Sequence, residues 1–365
     1  MESIYWSMSW ACHRKCRHCY EDRFRPYVRD GLRTVIDEAI ANFPRIVANL
    51  PDRMIYRDVG ASAGSDDAPM EKTGRIVLSG GEALIDGIRE NVTYPLIDAL
   101  VSRYRDKGGV KIVVQTTGDL LTGPIVENLV TRGIYMIAVA GVDDFHVGLE
   151  GAERQSAFME RLAKMFSEAG LKPSGLSSET RKWHEEDGPL FSFFGATPGS
   201  WIGKLWPRGR AWMNDLSTAT LEDNFCNRWS GGLNFLRHSH SGSEVSIEPS
   251  GDLYPCCVKT KAPLGNLLDD KLIDILDSLA QEPALKAISM GHPEQMGLAY
   301  GWSEETFLSR SRTKTPKGHE YANFCIGCDA FHEEILGPIL VAAGERRRRN
   351  GSSTSSIIGG THAAA

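Results

Sequence analysis

Three cysteines in eight residues constrain this chain more than anything else in it. Cys12, Cys16 and Cys19 stand in the run Ser9-Trp-Ala-Cys-His-Arg-Lys-Cys-Arg-His-Cys-Tyr20, spaced C-x3-C-x2-C. Three thiolates so close cannot all pair as disulfides, and they offer one ligand fewer than a closed metal site needs. A four-iron cluster held this way keeps one iron free for a ligand that is not protein. A zinc knuckle or an isolated redox cluster is the alternative reading.

Composition sets the bounds around that motif. The 365 residues suffice for one large domain and a smaller one. A 41% hydrophobic and 24% charged content is that of a globular protein, and a net charge of -6 implies no broad basic field for nucleic acid. No apolar run approaches the ~18 residues that span a bilayer, so no membrane partner is expected. The start, Met1-Glu-Ser-Ile-Tyr-Trp, lacks a basic region followed by an apolar core, so a cytoplasmic location is expected. Eight cysteines in such a chain read as metal ligands or redox groups.

Strand and helix patterns alternate in the first half. Ile4–Ser9, Arg75–Ser79, Val110–Gln115, Ile134–Ala140 and Phe191–Thr197 read as strands. Between them, apolar residues at helical spacing run from Leu32 to Phe43, where Pro44 interrupts or restarts the helix. Further helices open at Pro95 and Pro124 and cover Phe158–Phe166. Arg53–Lys72 is polar and reads as a loop. Short connections between alternating elements indicate a parallel sheet with right-handed crossovers. From about Thr220 the alternation stops. Glu244–Ile247 and Leu253–Tyr254 flank the turn Pro249–Asp252 as a β-hairpin, Leu267–Leu279 is an amphipathic helix, and His292–Tyr321 reads as irregular. Arg346–Arg349 and the Gly/Ser/Thr run after it read as a disordered tail, part of it as introduced sequence.

The unusual residues all follow strand ends. Cys12 follows the first strand, Gly80-Gly81-Glu82 the second, Thr116–Asp119 the third and Asp143–His146 the fourth. Parallel α/β barrels and open sheets carry their ligand sites on that rim. The cysteine spacing, Tyr20 after it, and Gly-Gly-Glu about 60 residues on resemble the radical S-adenosylmethionine (SAM) superfamily. That resemblance implies an α/β fold, a partial (β/α)6 TIM-like barrel, over residues 1–219. It also implies a [4Fe-4S] cluster on Cys12, Cys16 and Cys19 whose free iron binds the methionine amine and carboxylate of SAM. SAM is then cleaved to methionine and a 5'-deoxyadenosyl radical, with a one-electron donor such as flavodoxin or ferredoxin.

By the same resemblance Gly80, Gly81 and Glu82 contact the methionine amine, and Ala83 departs from the family's usual Pro. Thr117, in Thr116-Thr117-Gly118, faces the SAM ribose, or the segment is a plain turn. Tyr20 belongs to the cofactor-binding loop. The family's ribose Ser after strand four is replaced by Ala140 and Gly141, which puts that contact in doubt. Pro207-Arg208-Gly209-Arg210-Ala211 resembles a Gly-Arg-Ala segment of relatives, implying that Arg210 anchors the SAM carboxylate; a structural ion pair is the alternative. Asp143, Asp144 and His146 are candidate substrate contacts, or one of them caps the helix beginning near Gly151.

A second cysteine group follows: Cys226, Cys256 beside Cys257, Cys325 and Cys328. Gly251-Asp-Leu-Tyr-Pro-Cys256, Leu264–Leu267 and Cys325-Ile-Gly-Cys328 resemble the SPASM/twitch auxiliary-cluster domains. One Cys, one G-x4-C and one C-x-x-C suffice for a single closed cluster, so the resemblance implies the shorter twitch form over 220–340, a β-hairpin plus helix carrying a second [4Fe-4S] cluster. The 24 residues between Cys226 and Gly251 exceed the family's usual hairpin. A four-Cys zinc ribbon is the alternative. Cys257 is a buried apolar residue, an alternative ligand to Cys256, or a hydrogen-atom donor to substrate. A closed cluster suits electron transfer, so the expected reaction is net oxidation of a small polar metabolite such as a sugar or aminocyclitol alcohol. Cross-linking or epimerisation of a ribosomally made peptide ranks second, because only eleven residues precede Cys12 where many peptide-modifying relatives carry a recognition domain. A non-catalytic zinc or iron-sulfur scaffold is the reading from another class.

Overall fold

The computed structural model describes residues 1–58, 70–174, 187–196, 204–228 and 234–358, with side chains described up to residue 349. Its strands in chain order are β1 (Ser3–Ser7), β2 (Ile55–Asp58), β3 (Met70–Thr73), β4 (Arg75–Ser79), β5 (Lys111–Thr116), β6 (Met136–Ala140), β7 (Lys172–Pro173), β8 (Leu190–Phe194), β9 (Glu244–Ile247), β10 (Asp252–Tyr254) and β11 (Gly265–Asn266). One nine-stranded sheet runs β11-β10-β9-β1-β4-β5-β6-β8-β7. From β9 to β7 every pairing is parallel; β10 and β11 are antiparallel additions at one end. The six parallel strands from β1 to β7, with helices between them, are the partial TIM-like barrel, and the hairpin and helices after it form the C-terminal auxiliary region.

Register decides what each face carries. Tyr5 pairs with Val77, Val77 with Val113, Val113 with Met136 and Met136 with Leu190, so these side chains share the inner face. The neighbouring positions Ile4, Trp6, Ile76, Leu78, Ile112, Val114, Ile137 and Val139 are all buried on the other face, beneath the helices. Burial on both faces explains why these strands are continuous apolar runs rather than alternating ones.

Several local expectations are corrected. The Asp30–Asn49 helix continues through Pro44, because Val35 and Ala39 before it and Ile46 and Val47 after it bury against the same core. Arg53–Lys72, expected as a loop, contains the antiparallel β2–β3 ladder; residues 59–69 lie outside the described residues. Thr197, the expected end of the fifth strand, also lies outside them. His292–Tyr321 is more regular than its polarity suggested. Ser303 caps the helix Glu304–Arg310 by accepting from Thr306 N, Phe307 is fully buried, and Arg312–Lys314 pairs with Glu320–Ala322.

The expected disordered tail from 341 is corrected as far as residue 358, since Gly337–Ile358 is helical. Leu340 and Ala343 are buried, and Arg347 donates Nε to Asp270 and Nη1 to Ser278 Oγ at 2.9 and 2.8 Å. Packing and these ion-pair contacts offset the weak helix propensity of the Gly/Ser residues. Arg347→Ala is expected to raise amide exchange from about residue 340 onward and leave the barrel strands unchanged. Unaltered exchange in this helix would contradict the docking.

Candidate active site and second metal centre

The end of β1 leads into the three-cysteine loop, and the end of β4 holds that loop in place. Gly81 N donates to Ser9 O at 3.1 Å and Glu82 N to Ala11 O at 2.9 Å, while Cys12 N donates to Arg25 O at 3.0 Å. A Cβ on Gly81 would lie 2.1 Å from Ala11 O and 2.8 Å from Cys12 Cβ. Gly80, at φ +153°, has Ser9 O 2.9 Å from where its Cβ would be. Glycine is needed here so that the two backbones can approach.

Glu82 faces away from the open side of the site. Its Oε1 accepts from Leu84 N (2.9 Å) and Thr116 Oγ1 (2.7 Å), and its Oε2 from Thr117 N and Thr117 Oγ1 (both 2.8 Å). At 2% exposed, it ties the β4 end to the β5 end. Thr117 lines the open side, but its one hydroxyl proton serves both Glu82 and Asp119. Asp119 also receives His13 Nε2 at 2.8 Å and Arg14 Nη2 at 2.6 Å. Burial opposes ionisation of Asp119, but the hydrogen bonds from His13, Thr117 and Arg14 prevail and hold its carboxyl well below the usual range. The residues between Cys12 and Cys16 are thereby fastened to the rim.

On the β6 side, Asp143 is buried and accepts from His146 Nδ1 (2.8 Å), Phe145 N (3.0 Å) and Ala196 N (2.8 Å), tying the β6 end to the β8 end. Against the opposing cost of burial, the His146 contact brings its carboxyl down to about 2. Asp144 accepts from Gly151 N at 2.8 Å and Gln155 Nε2 at 3.0 Å, which places it at the start of the Ala152–Glu168 helix. His146 packs edge-on against His18, with ring centroids 4.4 Å apart. His18 was not singled out in the sequence. Burial first and His146 next push its imidazole down to about 4, so it sits neutral between Cys16 and Cys19.

Arg210 is engaged from beneath the loop. Its Nε, Nη1 and Nη2 donate to Cys16 O, Asp22 O and Phe24 O, each at 2.7 Å. Past Cys19, Tyr20 meets Phe24 edge-on, and a network of Glu21, Arg23, Glu248 and Lys259 spans from this loop to the β9–β10 turn with contacts of 2.6–2.7 Å. Arg23 lies 3.7 Å from the Trp10 ring centre.

A cavity of about 690 Å³ opens above the inner face. Cys12, Cys16 and Cys19 line it together with Tyr20, Gly80, Gly81, Thr117, Asp143, His146 and Arg210. Deeper lining comes from Tyr5, Arg75, Gln115, Ser192, Glu244 and Cys257. Tyr5 shares a 2.6 Å hydrogen bond with Ser79 Oγ and receives Gln115 Nε2 at 3.3 Å. Burial, then Cys257, pushes the Tyr5 phenol up to about 12, so it is a neutral donor on the cavity wall.

The second cysteine group assembles behind this wall. Cys256 and Cys325 share a buried cluster with Trp206, Phe225 and Val258. Burial chiefly, then the neighbouring thiols Cys256 and Cys325, raises Cys226, and Cys328 is raised by burial, Asp329 and the other three thiols. Cys256 thus stands with Cys226, Cys325 and Cys328, whereas Cys257 turns to the cavity beside Glu244. Cys226, Cys256, Cys325 and Cys328, three of them buried and Cys226 half-buried, interact electrostatically with one another; four such thiols would suit a closed metal site, and three on a cavity wall an open one. Two residues of this region escaped sequence reading. Arg208 donates Nη2 to Asp329 Oδ1 at 2.9 Å, and His332 is 1% exposed with neither ring nitrogen partnered.

The fold and site therefore define an α/β-barrel protein with a cysteine loop at its strand-end rim and a second group of cysteines behind it. Residues 240–329 match the profile of SPASM, an iron-sulfur cluster-binding domain. This match identifies the C-terminal region as a SPASM-type iron-sulfur cluster-binding domain. No curated protein sequence matches the chain. Among solved structures it is similar to BtrN in complex with AdoMet and 2-DOIA, at 14% identity and TM-score 0.43 over 80% of this chain and 88% of that one. It is also similar to anSMEcpe with bound AdoMet and Cp18Cys peptide, at 15% identity and TM-score 0.41 over 94% and 99%. A third is Streptococcus suis SuiB bound to precursor peptide SuiA, at 15% identity and TM-score 0.41 over 83% and 74%. Among the described residues, no helix is long and apolar enough to cross a membrane.

Two outcomes follow from the site geometry. Gly81→Val forces the β4 end off the cysteine loop and is expected to lower the iron bound per chain; full iron content in the variant would contradict the close-approach argument. His332 has its pKa lowered by burial from 6.5 to about 3. Between those values the unfolded chain takes up a proton that the folded chain refuses, so this contribution is complete above pH 6.5 and is lost as pH falls towards 3. His332→Phe should flatten that acid slope in urea unfolding at pH 7 and pH 5, and an unchanged slope would count against it.

Proposed function

We propose that the chain uses SAM at the Cys12/Cys16/Cys19 site to oxidise a small polar metabolite, such as a sugar or aminocyclitol alcohol, held in the barrel cavity. The observation that carries this reading is one cavity whose walls hold both the three cysteines and, through Cys257, the neighbour of the four-cysteine site. When bound, a [4Fe-4S] cluster and SAM supply a 5'-deoxyadenosyl radical that takes a hydrogen atom from substrate. In this reading Cys12, Cys16 and Cys19 hold that cluster, and Gly80, Gly81 and Thr117 border the SAM position. Cys226, Cys256, Cys325 and Cys328 hold a second, closed cluster.

The protein's own groups suit a hydroxylated substrate. Tyr5 and Gln115 present hydrogen-bond partners, and Glu244 and the Asp143–His146 pair present acceptors, from a wall that otherwise carries Val77, Val113, Met136 and Ala138. An apolar wall with a few fixed polar groups orients a small ligand and excludes water. An alcohol that loses hydrogen from carbon must also lose its hydroxyl proton and one more electron. The cavity-facing acceptors suit the proton, and a closed cluster behind Cys257 suits the electron. Both demands are met within one enclosure, and this favours net oxidation over a redox-neutral outcome.

Reconstituted, reduced enzyme incubated with SAM and candidate substrates is expected to form 5'-deoxyadenosine with a polyol or aminocyclitol and to return that substrate oxidised. Formation only with a peptide would overturn the substrate class. A colourless chain holding stoichiometric zinc would overturn the enzyme reading itself.

A further inference from the structure

Arg208 and Arg210 flank Gly209 and reach in opposite directions. Arg210 grips three carbonyls of the three-cysteine loop. Arg208 grips the other side, donating Nε to Val258 O at 2.9 Å, Nη2 to Lys259 O at 3.2 Å and Nη2 to Asp329 Oδ1 at 2.9 Å. Val258 and Lys259 follow Cys256-Cys257, and Asp329 follows Cys328. The hinge between the two arms has no freedom of its own. Gly209 sits at φ +48°, and a Cβ there would lie 2.4 Å from Tyr20 C. Ala211 N completes the hold by donating to Cys19 O at 3.1 Å.

The Arg208 guanidinium is half-buried, and its charge acts on the whole second cysteine group. Asp329 and then Cys325, Cys328 and Cys256 favour its protonated form against burial. It in turn favours the thiolate of Cys226. A four-thiolate cluster is net negative and becomes more so on reduction, so a fixed cation beside it favours the reduced state. Arginine keeps its charge when buried, and its planar fork fixes its direction.

We propose that Arg208 is a positioning residue that raises the reduction potential of the four-cysteine cluster and, through Gly209 and Arg210, holds that cluster in fixed relation to the three-cysteine loop. The inference rests on the reading of Cys226, Cys256, Cys325 and Cys328 as cluster ligands.

The test uses the full chain carrying Cys12→Ala, Cys16→Ala and Cys19→Ala, loaded anaerobically with iron and sulfide, so that one cluster is observed in a potentiometric titration followed by electron paramagnetic resonance. Arg208→Gln is expected to cut the reduced-to-oxidised ratio at the parent midpoint about tenfold, a fall of ~59 mV for a one-electron couple. Arg208→Lys, which keeps the charge, should stay close to the parent. Asp329→Asn, which removes the opposing charge, should move the midpoint upward. Opposite shifts from the two partners are what a purely structural role does not produce. A loaded Arg208→Gln cluster with the parent potential overturns the inference. So does an Asp329→Asn midpoint that stays put or falls, and this second criterion stands even if Arg208→Gln fails to hold iron. An iron-free parent overturns the ligand reading first, and the inference with it.

Discussion

The whole site hangs on the contact between two backbones. The Gly80-Gly81-Glu82 turn at the β4 end lies so close to Ser9–Ala11 that no side chain fits between them, and two N–H donors stitch it to the cysteine loop. A loop carrying three thiols has little packing of its own, so its shape must come from its neighbours. Glu82 passes the constraint to β5 through Thr116 and Thr117, Asp119 returns it to His13 and Arg14, and Arg210 closes it from below. The loop is thus fixed by three strand ends and one arginine before any ligand is bound. Such preorganisation spares the ligand the entropy of ordering the loop.

The two cysteine groups are built on different electrostatic terms. Burial pushes the Cys12 thiol up to about 12, and it does the same to Cys256, with Cys325 at about 11. Without metal these groups are therefore neutral thiols near pH 7, and metal loading must release their protons. The Arg14 and Arg210 charges favour the Cys16 thiolate on the cavity side, although burial outweighs them. Behind the wall that service falls to Arg208. A separate ion network of Glu21, Arg23, Glu248 and Lys259 crosses between the regions, with Glu248 almost fully buried. A buried network of this kind contributes little net stability, but it fixes one arrangement of the elements it joins.

How much of this was legible depended on whether the signal was local. The cysteine spacing, the Gly-Gly-Glu turn and the alternation of apolar strands with amphipathic helices are short-range patterns, and the barrel follows from them. The hairpin Glu244–Ile247/Leu253–Tyr254 was also legible, but not that β9 would pair in parallel with β1 and so continue the barrel's own sheet. That pairing joins residues some 240 positions apart, and no periodicity records it. The choice between Cys256 and Cys257 was likewise open in sequence, since adjacent residues differ only in the direction they point; in the structure Cys256 packs with Cys325 and Cys257 lines the cavity. Pro44 misled because its helix is held by tertiary burial rather than propensity. The sequence pointed to Glu82 and Arg210 as cofactor contacts, and in the structure their hydrogen-bond partners are protein groups. Sequence spacing marks where a charge is needed, but not which atoms will satisfy it.

The inner face of the barrel carries the last consequence. In a filled barrel the inward positions take bulky branched side chains that interlock. Here the rung above Val77, Val113 and Met136 holds Ser79, Gln115, Ala138 and Ser192, and the next pairs Ala140 with Phe194. Small residues towards the C-terminal rim leave space where the strands would otherwise close over a core, and the polar ones leave that space able to hydrogen-bond. Tyr5, Ser79 and Gln115 bond to one another, so these three wall groups have partners within the protein. A ligand entering the space must match this chain of donors and acceptors or leave it broken at a cost of about 1–3 kcal/mol per group. The same positions that empty the barrel thus select for polarity in whatever fills it.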